Sequence, residues 1–348
     1  MSTFNVRSVL LALVASAIAV HAAKSMSLKV TGPELVATVG DLKVTTIVTN
    51  TGNETLKLLN DPSSSLSTMP ADTFRITGGS SDVVPTFIGI KVKYVPKTAV
   101  VSEAYTVLAP NESVTVDHDL STMYNFTNSG EGTYTFEPLK PFYVVDNSSD
   151  DITTIHPDVV AHTAKISGKL AVSRPVVEKR ASYNGCSSAQ QSEISLAITA
   201  AKTYASNALI YLRSHTTPST RYTTWFGAYT SARHNTVTSH YSNIVSNTLS
   251  TFKYDCTCHD TGTYAYVYPD RFGIIYLCGA FWRAPNTGTD SRGGTIVHES
   301  PHFLKNGGTQ DYVYGQSNCK SLAHTNPSHA IGNADSHEYF AENKPALS

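Results

Sequence analysis

Alternating apolar and polar positions characterise the first half of the chain. Runs that alternate or are rich in β-branched residues lie at 43–48, 87–94 and 113–116, and clusters of turn-forming residues separate them. Short strands divided by turns at this spacing are typical of a sandwich of two antiparallel sheets. For residues 27–173 we therefore predict an all-β, immunoglobulin-like sandwich.

Helical periodicity replaces the alternation in the second half. Helices are predicted at 188–215 and 225–249, and two strands at 264–268 and 274–277. Ser188 and Gln191 form a predicted capping box at the start of the first helix. The second half is thus expected to be α+β and mainly helical. Its strand at 264–268 is a candidate edge strand for binding an extended peptide.

The first 22 residues have the pattern of a secretory signal peptide. Arg7 supplies the positive charge, residues 9–20 an apolar run, and residues 20–22 a small-residue cleavage site. The alternative, a membrane anchor, is excluded because the apolar run is too short to cross a bilayer. The sequence therefore predicts a secreted, extracellular protein.

The near balance of charges excludes some classes of partner. The chain of 348 residues has 26 Lys and Arg against 27 Asp and Glu, so neither a nucleic acid nor a membrane surface is an expected partner. The length is enough for about two domains. Four sequons for N-glycosylation occur, all in the first half, at Asn53, Asn111, Asn125 and Asn147.

The most informative stretch is His-Glu-Ser-Pro-His at 298–302. On a helix, two histidines four residues apart project from one face, so both imidazoles can reach a single ion. Glu299 points to the side, where its carboxylate can take a proton from a water that the metal activates. Two histidines do not fill a catalytic zinc site, and Asp311 is the candidate third protein ligand. We therefore expect one Zn²⁺ in the catalytic domain.

Pro301 departs from what a regular helix requires. It has no N–H for the carbonyl oxygen of Val297, and its ring crowds that carbonyl, at a cost of about 3 kcal/mol. A kink at this position would displace His302 relative to His298. Pro301 therefore motivates an alternative function, a catalytically impaired binding protein.

A second motif, Gly-Thr-Gln-Asp-Tyr-Val-Tyr-Gly at 308–315, follows the histidine motif. The two motifs together resemble the aspzincin, or deuterolysin, group of zinc metallopeptidases, which carries a GTxDxxYG segment. The resemblance implies a zincin-type catalytic domain. It also implies the roles of the site residues: zinc ligands His298, His302 and Asp311, general base and then acid Glu299, and Tyr314 as the partner of the developing oxyanion or of the water.

Residues 182–186 resemble the mature start of the peptidyl-Lys metalloendopeptidases within this family. On that interpretation the dibasic pair Lys179–Arg180 is a processing site, whereas the alternative is an ordinary exposed linker. The expected division is a signal peptide at 1–22, a β-rich propeptide at 23–180 and the catalytic domain at 181–348.

All five cysteines lie in the second half. Cys256 and Cys258 are too close in sequence to bond comfortably to each other, so each should pair elsewhere. An exported protein favours disulfides over the alternative, a cysteine–zinc site. The resemblance implies the pairs Cys186–Cys256 and Cys258–Cys278. Cys319 is left over, as either an inert buried thiol or a reactive one.

Substrate selection is expected to depend on the segment at 332–340. If this segment is helical, Asp335 and Glu338 lie three apart on one face. Composition alone would assign them to a solvated acidic surface. The resemblance to the peptidyl-Lys branch implies instead a negative pocket for the lysine that follows the cleaved bond, the P1′ residue. Tyr264, where phenylalanine is usual, would close one wall of that pocket.

The chain is therefore predicted to be a secreted zinc metalloendopeptidase, made as a preproprotein, that hydrolyses peptide bonds on the amino side of lysine. Its expected partners are protein or peptide substrates and its own propeptide, and we expect a monomer. The nearest alternative is a deuterolysin-like protease of broader specificity. An immunoglobulin-like adhesin is a further alternative, which would leave the zinc motifs without a role.

Overall fold

The computed structural model describes residues 24–79, 83–139, 141–172 and 183–348. The expected signal peptide and the dibasic pair Lys179–Arg180 lie outside these residues. Among the helices in the described ranges, none is both long enough and apolar enough to span a membrane.

Strands dominate the N-terminal half, as the alternating pattern predicts. They are β1 Met26–Thr31, β2 Leu35–Thr38, β3 Lys43–Asn50, β4 Leu56–Leu59, β5 Phe74–Gly78, β6 Thr86–Phe87, β7 Lys91–Tyr94, β8 Tyr105–Leu108, β9 Ser113–Asp119, β10 Tyr124–Asn125, β11 Gly132–Pro138, β12 Phe142–Val145, β13 Ile152–Ile155, β14 Asp158–Val160 and β15 His162–Lys169. A short helix, α1 Pro96–Val101, lies between β7 and β8.

Two four-stranded sheets of this half share one apolar core. Their strand orders are β14-β1-β3-β9 and β2-β15-β11-β5. Val30 and Val44 of the first sheet and Phe136 and Ile166 of the second belong to the same buried cluster. A third sheet, β13-β12-β4-β8, buries its own apolar side chains in a neighbouring cluster that also contains residues of β1 and β3.

Helices dominate the C-terminal half. Its elements are β16 Tyr183–Asn184, α2 Ser188–Ser214, α3 Thr220–Phe226, α4 Ser231–Ser246, β17 Lys253–Asp255, β18 Thr263–Val267, β19 Ile274–Leu277, α5 Gly279–Arg283, α6 Arg292–Glu299, α7 Gln316–Thr325, α8 Pro327–Ala330 and α9 Ala334–Glu342. The apolar faces of α2, α4, α6 and α9 meet in the largest buried cluster of the described residues.

The capping box of α2 lies one residue earlier than predicted, whereas the helix itself begins at Ser188 as expected. The Ser187 hydroxyl accepts the Gln190 N–H at 3.2 Å, and the Gln190 side-chain oxygen accepts the Ser187 N–H at 2.9 Å. Ser188 and Gln191 repeat the same spacing one residue later, so the sequence pattern could not distinguish the two registers. On its inner side α2 packs closely on α6, where a Cβ on Gly293 would lie 2.7 Å from the Cβ of Ala200.

The single helix predicted at 225–249 is wrong. Helix α3 ends at Phe226 because Gly227 has a φ of +76°, and a side chain there would meet the Ala323 carbonyl oxygen at 2.1 Å. A new helix, α4, starts after Thr230, whose hydroxyl accepts the N–H of Arg233. The chain therefore turns between the two helices.

The run at 87–94, predicted as one strand, forms two. β6 pairs with β10 inside the N-terminal half. β7 leaves those sheets and becomes the last strand of a sheet in the C-terminal half, with the order β16-β17-β19-β18-β7. It runs antiparallel to β18, which is the predicted edge strand. A strand of the first half thus covers the candidate peptide-binding edge of the second.

Candidate active site

The two histidines of the motif converge although the α-helix does not extend to the second. Helix α6 ends at Glu299, and residues 300–302 continue as one 3-10 turn that contains Pro301. The Nε2 atoms of His298 and His302 lie 3.3 Å apart, and both side chains are buried. The expected displacement of His302 by a kink is therefore not seen. Since the α-helix has already ended, the missing N–H of Pro301 interrupts no regular helix.

Asp311 completes a three-donor set. Its Oδ1 atom lies 3.2 Å from the Nε2 atom of each histidine. Tetrahedral zinc with bonds of about 2.0–2.1 Å separates neighbouring donor atoms by about 3.3 Å. Asp311 Oδ1 is buried and accepts no hydrogen bond within the described part of the chain. Two imidazole nitrogens and one carboxylate oxygen at these separations fit a catalytic zinc site with a position left for water.

The other ring nitrogen of each histidine lies beside oxygen atoms, which leaves Nε2 for the metal position. His302 Nδ1 donates to the carbonyl oxygen of Thr309 at 2.9 Å. His298 Nδ1 lies 2.8 Å from Asp335 Oδ1 and 3.3 Å from Glu338 Oε2. Such outer carboxylates fix the orientation of a metal-binding imidazole. Asp335 and Glu338 therefore contact the metal site, which the sequence analysis did not anticipate.

Glu299 and Tyr314 face the same space from different elements. Glu299 is buried at the end of α6, and its Oε2 atom has no hydrogen-bond partner in the described chain. Burial raises the pKa of the Glu299 carboxyl well above its ordinary value. Burial also raises the pKa of Tyr314, which keeps its hydroxyl protonated and able to donate. One group is thus suited to exchange a proton and the other to donate a hydrogen bond.

Strand β7 lies between Glu299 and Tyr314, and its backbone is hydrogen-bonded to these candidate catalytic groups and to Asp311. The Tyr314 hydroxyl donates to the Val92 carbonyl oxygen at 2.9 Å, and the Lys93 N–H donates to Glu299 Oε1 at 3.2 Å. The Val92 N–H donates to Asp311 Oδ2 at 3.0 Å. In the peptide bond between Val92 and Lys93, the carbonyl oxygen is therefore hydrogen-bonded to Tyr314 and the N–H to Glu299.

The side chain of Lys93 fills an acidic pocket. Its fully buried ammonium lies 2.9 Å from Asp290 Oδ1, 3.1 Å from Asp335 Oδ1 and 2.7 Å from Glu338 Oε2. Burial opposes the charge, but these three carboxylates outweigh it and raise the pKa of Lys93 well above its ordinary value. The alternative of a solvated acidic face is wrong, because both α9 acids are fully buried.

Aromatic rings form the walls of the pocket. The Lys93 ammonium lies 5.7 Å from the ring centre of Tyr264 and 5.2 Å from that of Tyr339. The Tyr264 hydroxyl, which the sequence analysis singled out as unusual, is hydrogen-bonded to Thr98 Oγ1 at 2.9 Å. It therefore points to the N-terminal half and not at the ammonium.

Asp290 is the pocket residue that sequence reasoning missed. It lies in the loop before α6 with a φ of +51°, and the Tyr339 hydroxyl donates to its Oδ1 at 2.7 Å. The only sequence signal was its position just before Ser291, the residue that caps α6. No sequence spacing connects the loop of Asp290 to α9, about 45 residues later. The place of Asp290 in the pocket therefore depends on tertiary packing.

The disulfides have the pairing that the resemblance implies. Cys186 bonds to Cys256 and Cys258 to Cys278, which joins the start of α2 to β17 and the region before β18 to β19. Cys319 is free and buried, and burial raises its thiol pKa, so the inert alternative is favoured over the reactive one.

The four glycosylation sequons differ in exposure. Asn53, Asn111 and Asn147 are exposed, and Asn125 is half-buried. All four belong to the N-terminal half, as the sequence predicts. The processing pair Lys179–Arg180 lies outside the described residues.

Comparisons with known proteins bear on the resemblance. Residues 211–342 match the aspzincin family, which is described as a lysine-specific metallo-endopeptidase. The chain is 55% identical to a peptidyl-Lys metalloendopeptidase of Grifola frondosa, over 98% of this chain and 99% of that protein. It is also 53% identical to a peptidyl-Lys metalloendopeptidase of Armillaria mellea, over the full length of both. This chain belongs to the aspzincin family. This aspzincin also matches a solved structure, a zinc peptidase from Grifola frondosa, with 58% sequence identity and a TM-score of 0.47. The match spans 47% of this chain and all of the solved one.

Proposed function

We propose that this aspzincin is the precursor of a secreted zinc endopeptidase that hydrolyses peptide bonds on the amino side of lysine. One observation carries the proposal. A lysine side chain lies among three carboxylates while the peptide bond that precedes it contacts Glu299 and Tyr314. A substrate bound in the same way would present the bond before lysine to the catalytic groups.

In the proposed mechanism, His298, His302 and Asp311 hold the zinc. The chemistry that zinc supplies when bound is Lewis-acid polarisation and a lowered pKa for water. Glu299 takes the proton of the attacking water and then gives it to the leaving nitrogen of the substrate. That nitrogen would occupy the position of the Lys93 N–H, which donates to Glu299 Oε1 in the structure. The Tyr314 hydroxyl donates to the carbonyl oxygen as negative charge develops on it.

Selectivity for lysine follows from the charge and shape of the pocket. Asp335 and Glu338 are fully buried beside the partly exposed Asp290, so a neutral side chain would leave buried negative charge uncompensated. Arginine is disfavoured because its planar guanidinium is wider than an ammonium and Tyr264 and Tyr339 close the walls. These features favour lysine specificity over the broader deuterolysin-like alternative.

Two further observations weigh against the remaining alternatives. Pro301 lies in a 3-10 turn that leaves His298 and His302 converged, so it gives no reason for an impaired site. An adhesin would have no use for a buried set of zinc-type donors with this spacing.

The division of the chain is part of the proposal. We assign residues 1–22 as signal peptide, 23–180 as a propeptide with an immunoglobulin-like sandwich, and 181–348 as the catalytic domain, with processing at Lys179–Arg180. The support for the sandwich is the apolar core that two four-stranded sheets share. The support for an extracellular location is the two disulfides and the three exposed sequons.

The proposed function can be tested with three peptides that differ only in lysine, arginine or methionine after the scissile bond. The processed enzyme should cut the lysine peptide on its amino side, and cut the other two far more slowly. The Glu299→Gln variant serves as the inactive control. Equal cleavage of all three peptides, or cleavage on the carboxyl side of lysine, would contradict the proposal.

A further inference from the structure

We propose that the Val92–Lys93 peptide bond is a substrate of this chain's own active site, to which strand β7 presents it intramolecularly. The inference rests on the proposed function and adds to it a self-processing site within the N-terminal half. It concerns a bond about 88 residues before the dibasic pair, and so a cut distinct from the expected one at Lys179–Arg180.

Strand β7 pairs with β18 in the way that an extended peptide could. It pairs antiparallel with β18, with Val92 opposite Tyr266 and Lys93 opposite Ala265. Main-chain pairing with an exposed edge strand is a general way for a protein to bind an extended peptide. Because β7 occupies this edge, another peptide cannot pair with β18 until β7 leaves.

The position of one bond within β7 is that of a reacting bond. Of the candidate catalytic groups, Tyr314 contacts the Val92 carbonyl oxygen and Glu299 contacts the Lys93 nitrogen. These are the oxygen that becomes negative and the nitrogen that leaves during hydrolysis of an amide. Both sides of the Val92–Lys93 amide are therefore in contact with candidate catalytic groups at the same time.

Neighbouring lysines are not presented in this way. The Lys91 ammonium lies 4.7 Å from the ring centre of Phe87, and Lys97 is exposed after the strand. Lys93 is the lysine whose ammonium lies among Asp290, Asp335 and Glu338. The bonds before Lys91 and Lys97 should therefore survive while the bond before Lys93 is cut.

The flanks of β7 hold the bond in place. Before the strand, the Ile90 N–H donates to the Pro70 carbonyl oxygen at 2.9 Å. After it, Thr98 of α1 is hydrogen-bonded to Tyr264 on the pocket wall. A bond that is tethered and oriented beside its catalytic groups reacts at a high effective concentration. The cut should consequently be first-order, with a rate independent of protein concentration.

The reaction consumes one water molecule. The Val92–Lys93 amide breaks, the water oxygen joins the Val92 carbonyl carbon to give a new carboxylate, and Lys93 gains a free amino group. Glu299 carries the proton from the water to that nitrogen. No oxidant, reductant or second substrate is needed.

The test uses the full-length precursor, depleted of metal and then loaded with zinc. Intact mass and terminal sequencing should show a new amino terminus at Lys93, and the rate should not change over a 100-fold dilution. The Glu299→Gln and Lys93→Met precursors should remain uncut at this bond. The matched control, Lys91→Met, removes a lysine of the same strand outside the pocket and should still be cut before Lys93.

A second measurement does not depend on turnover. In the Glu299→Gln precursor an amine-acylating reagent should modify the exposed Lys97 and leave Lys93 unmodified. Modification of Lys93 as fast as Lys97 would overturn the inference, because the side chain would then not be in the pocket.

The outcomes separate this inference from the proposed function. If the processed enzyme hydrolyses an added lysine peptide but the zinc-loaded precursor keeps Val92–Lys93 intact, the self-processing inference is wrong and the proposed function stands. A cut whose rate rises with protein concentration would also overturn it, since the reaction would then be between molecules. If the processed enzyme does not hydrolyse the added lysine peptide, the proposed function itself is wrong.

Discussion

Replacing Asp290 by asparagine should weaken selection of lysine without removing zinc. Asp290 contacts the Lys93 ammonium at 2.9 Å, and the described residues show no contact between it and either histidine of the zinc motif. Asparagine has nearly the same shape and tolerates the positive φ that Asp290 adopts. The substitution therefore removes one charge from the pocket and changes little else.

The expected magnitude follows from the contacts of the ammonium. A hydrogen bond to a charged group contributes about 1.5–3 kcal/mol. The Asp290 side chain is 23% exposed, and two fully buried carboxylates remain beside the ammonium, so we take about 2 kcal/mol. This energy corresponds to a roughly 30-fold decrease in kcat/KM for a peptide with lysine at P1′. A methionine peptide, which makes no ion pair, should change little.

The assay compares kcat/KM for the lysine and methionine peptides in the processed enzyme, together with its zinc content. Asp335→Asn is the matched variant, because Asp335 contacts both the ammonium and His298 Nδ1. It should lose lysine selectivity and also bind zinc about 10–100-fold less tightly. An unchanged lysine-to-methionine ratio in Asp290→Asn, or an equal loss of zinc in both variants, would refute this division of roles.

Four further substitutions test other parts of the structure. Glu299→Gln should keep one zinc per chain and lose nearly all turnover, whereas Asp311→Ala should lose zinc. Metal analysis and peptide hydrolysis would show both effects. An active Glu299→Gln enzyme would rule out Glu299 as the general base. Pro301→Ser should change the free energy of unfolding by less than about 1 kcal/mol, because Pro301 lies beyond the end of α6; a large gain in Tm would mean that the proline does strain the site. Gly293→Ala should destabilise the protein by about 1–3 kcal/mol in denaturant unfolding, because the new Cβ would lie 2.7 Å from the Cβ of Ala200. An unchanged midpoint of the unfolding transition would show that α2 and α6 can move apart without loss of stability.

Local patterns in the sequence were enough to predict many elements. The strand at 274–277 coincides with β19, and the helix at 188–215 differs from α2 by one residue at its C-terminal end. Both are runs in which apolar periodicity and local turn or cap residues agree. The convergence of His298, His302 and Asp311 was likewise expected from two adjacent motifs.

Contacts between distant segments were not predictable. The alternation at 87–94 indicates a strand, but nothing in it shows that β7 pairs with β18, about 170 residues later. The same holds for Lys93 in the acidic pocket and for Asp290 beside it. The position of Asp335 and Glu338 between the pocket and His298 also depends on how α9 packs on α6, which no spacing encodes.

Digestion of a defined, unfolded protein by the processed enzyme is the decisive test of zinc-dependent cleavage before lysine. Every new amino terminus is sequenced, and the fraction that begins with lysine is counted against the Glu299→Gln control. Nearly all new termini should begin with lysine, and chelation of zinc should abolish them. New termini with no preference for lysine, or cleavage that persists in the Glu299→Gln control, would contradict the proposed function.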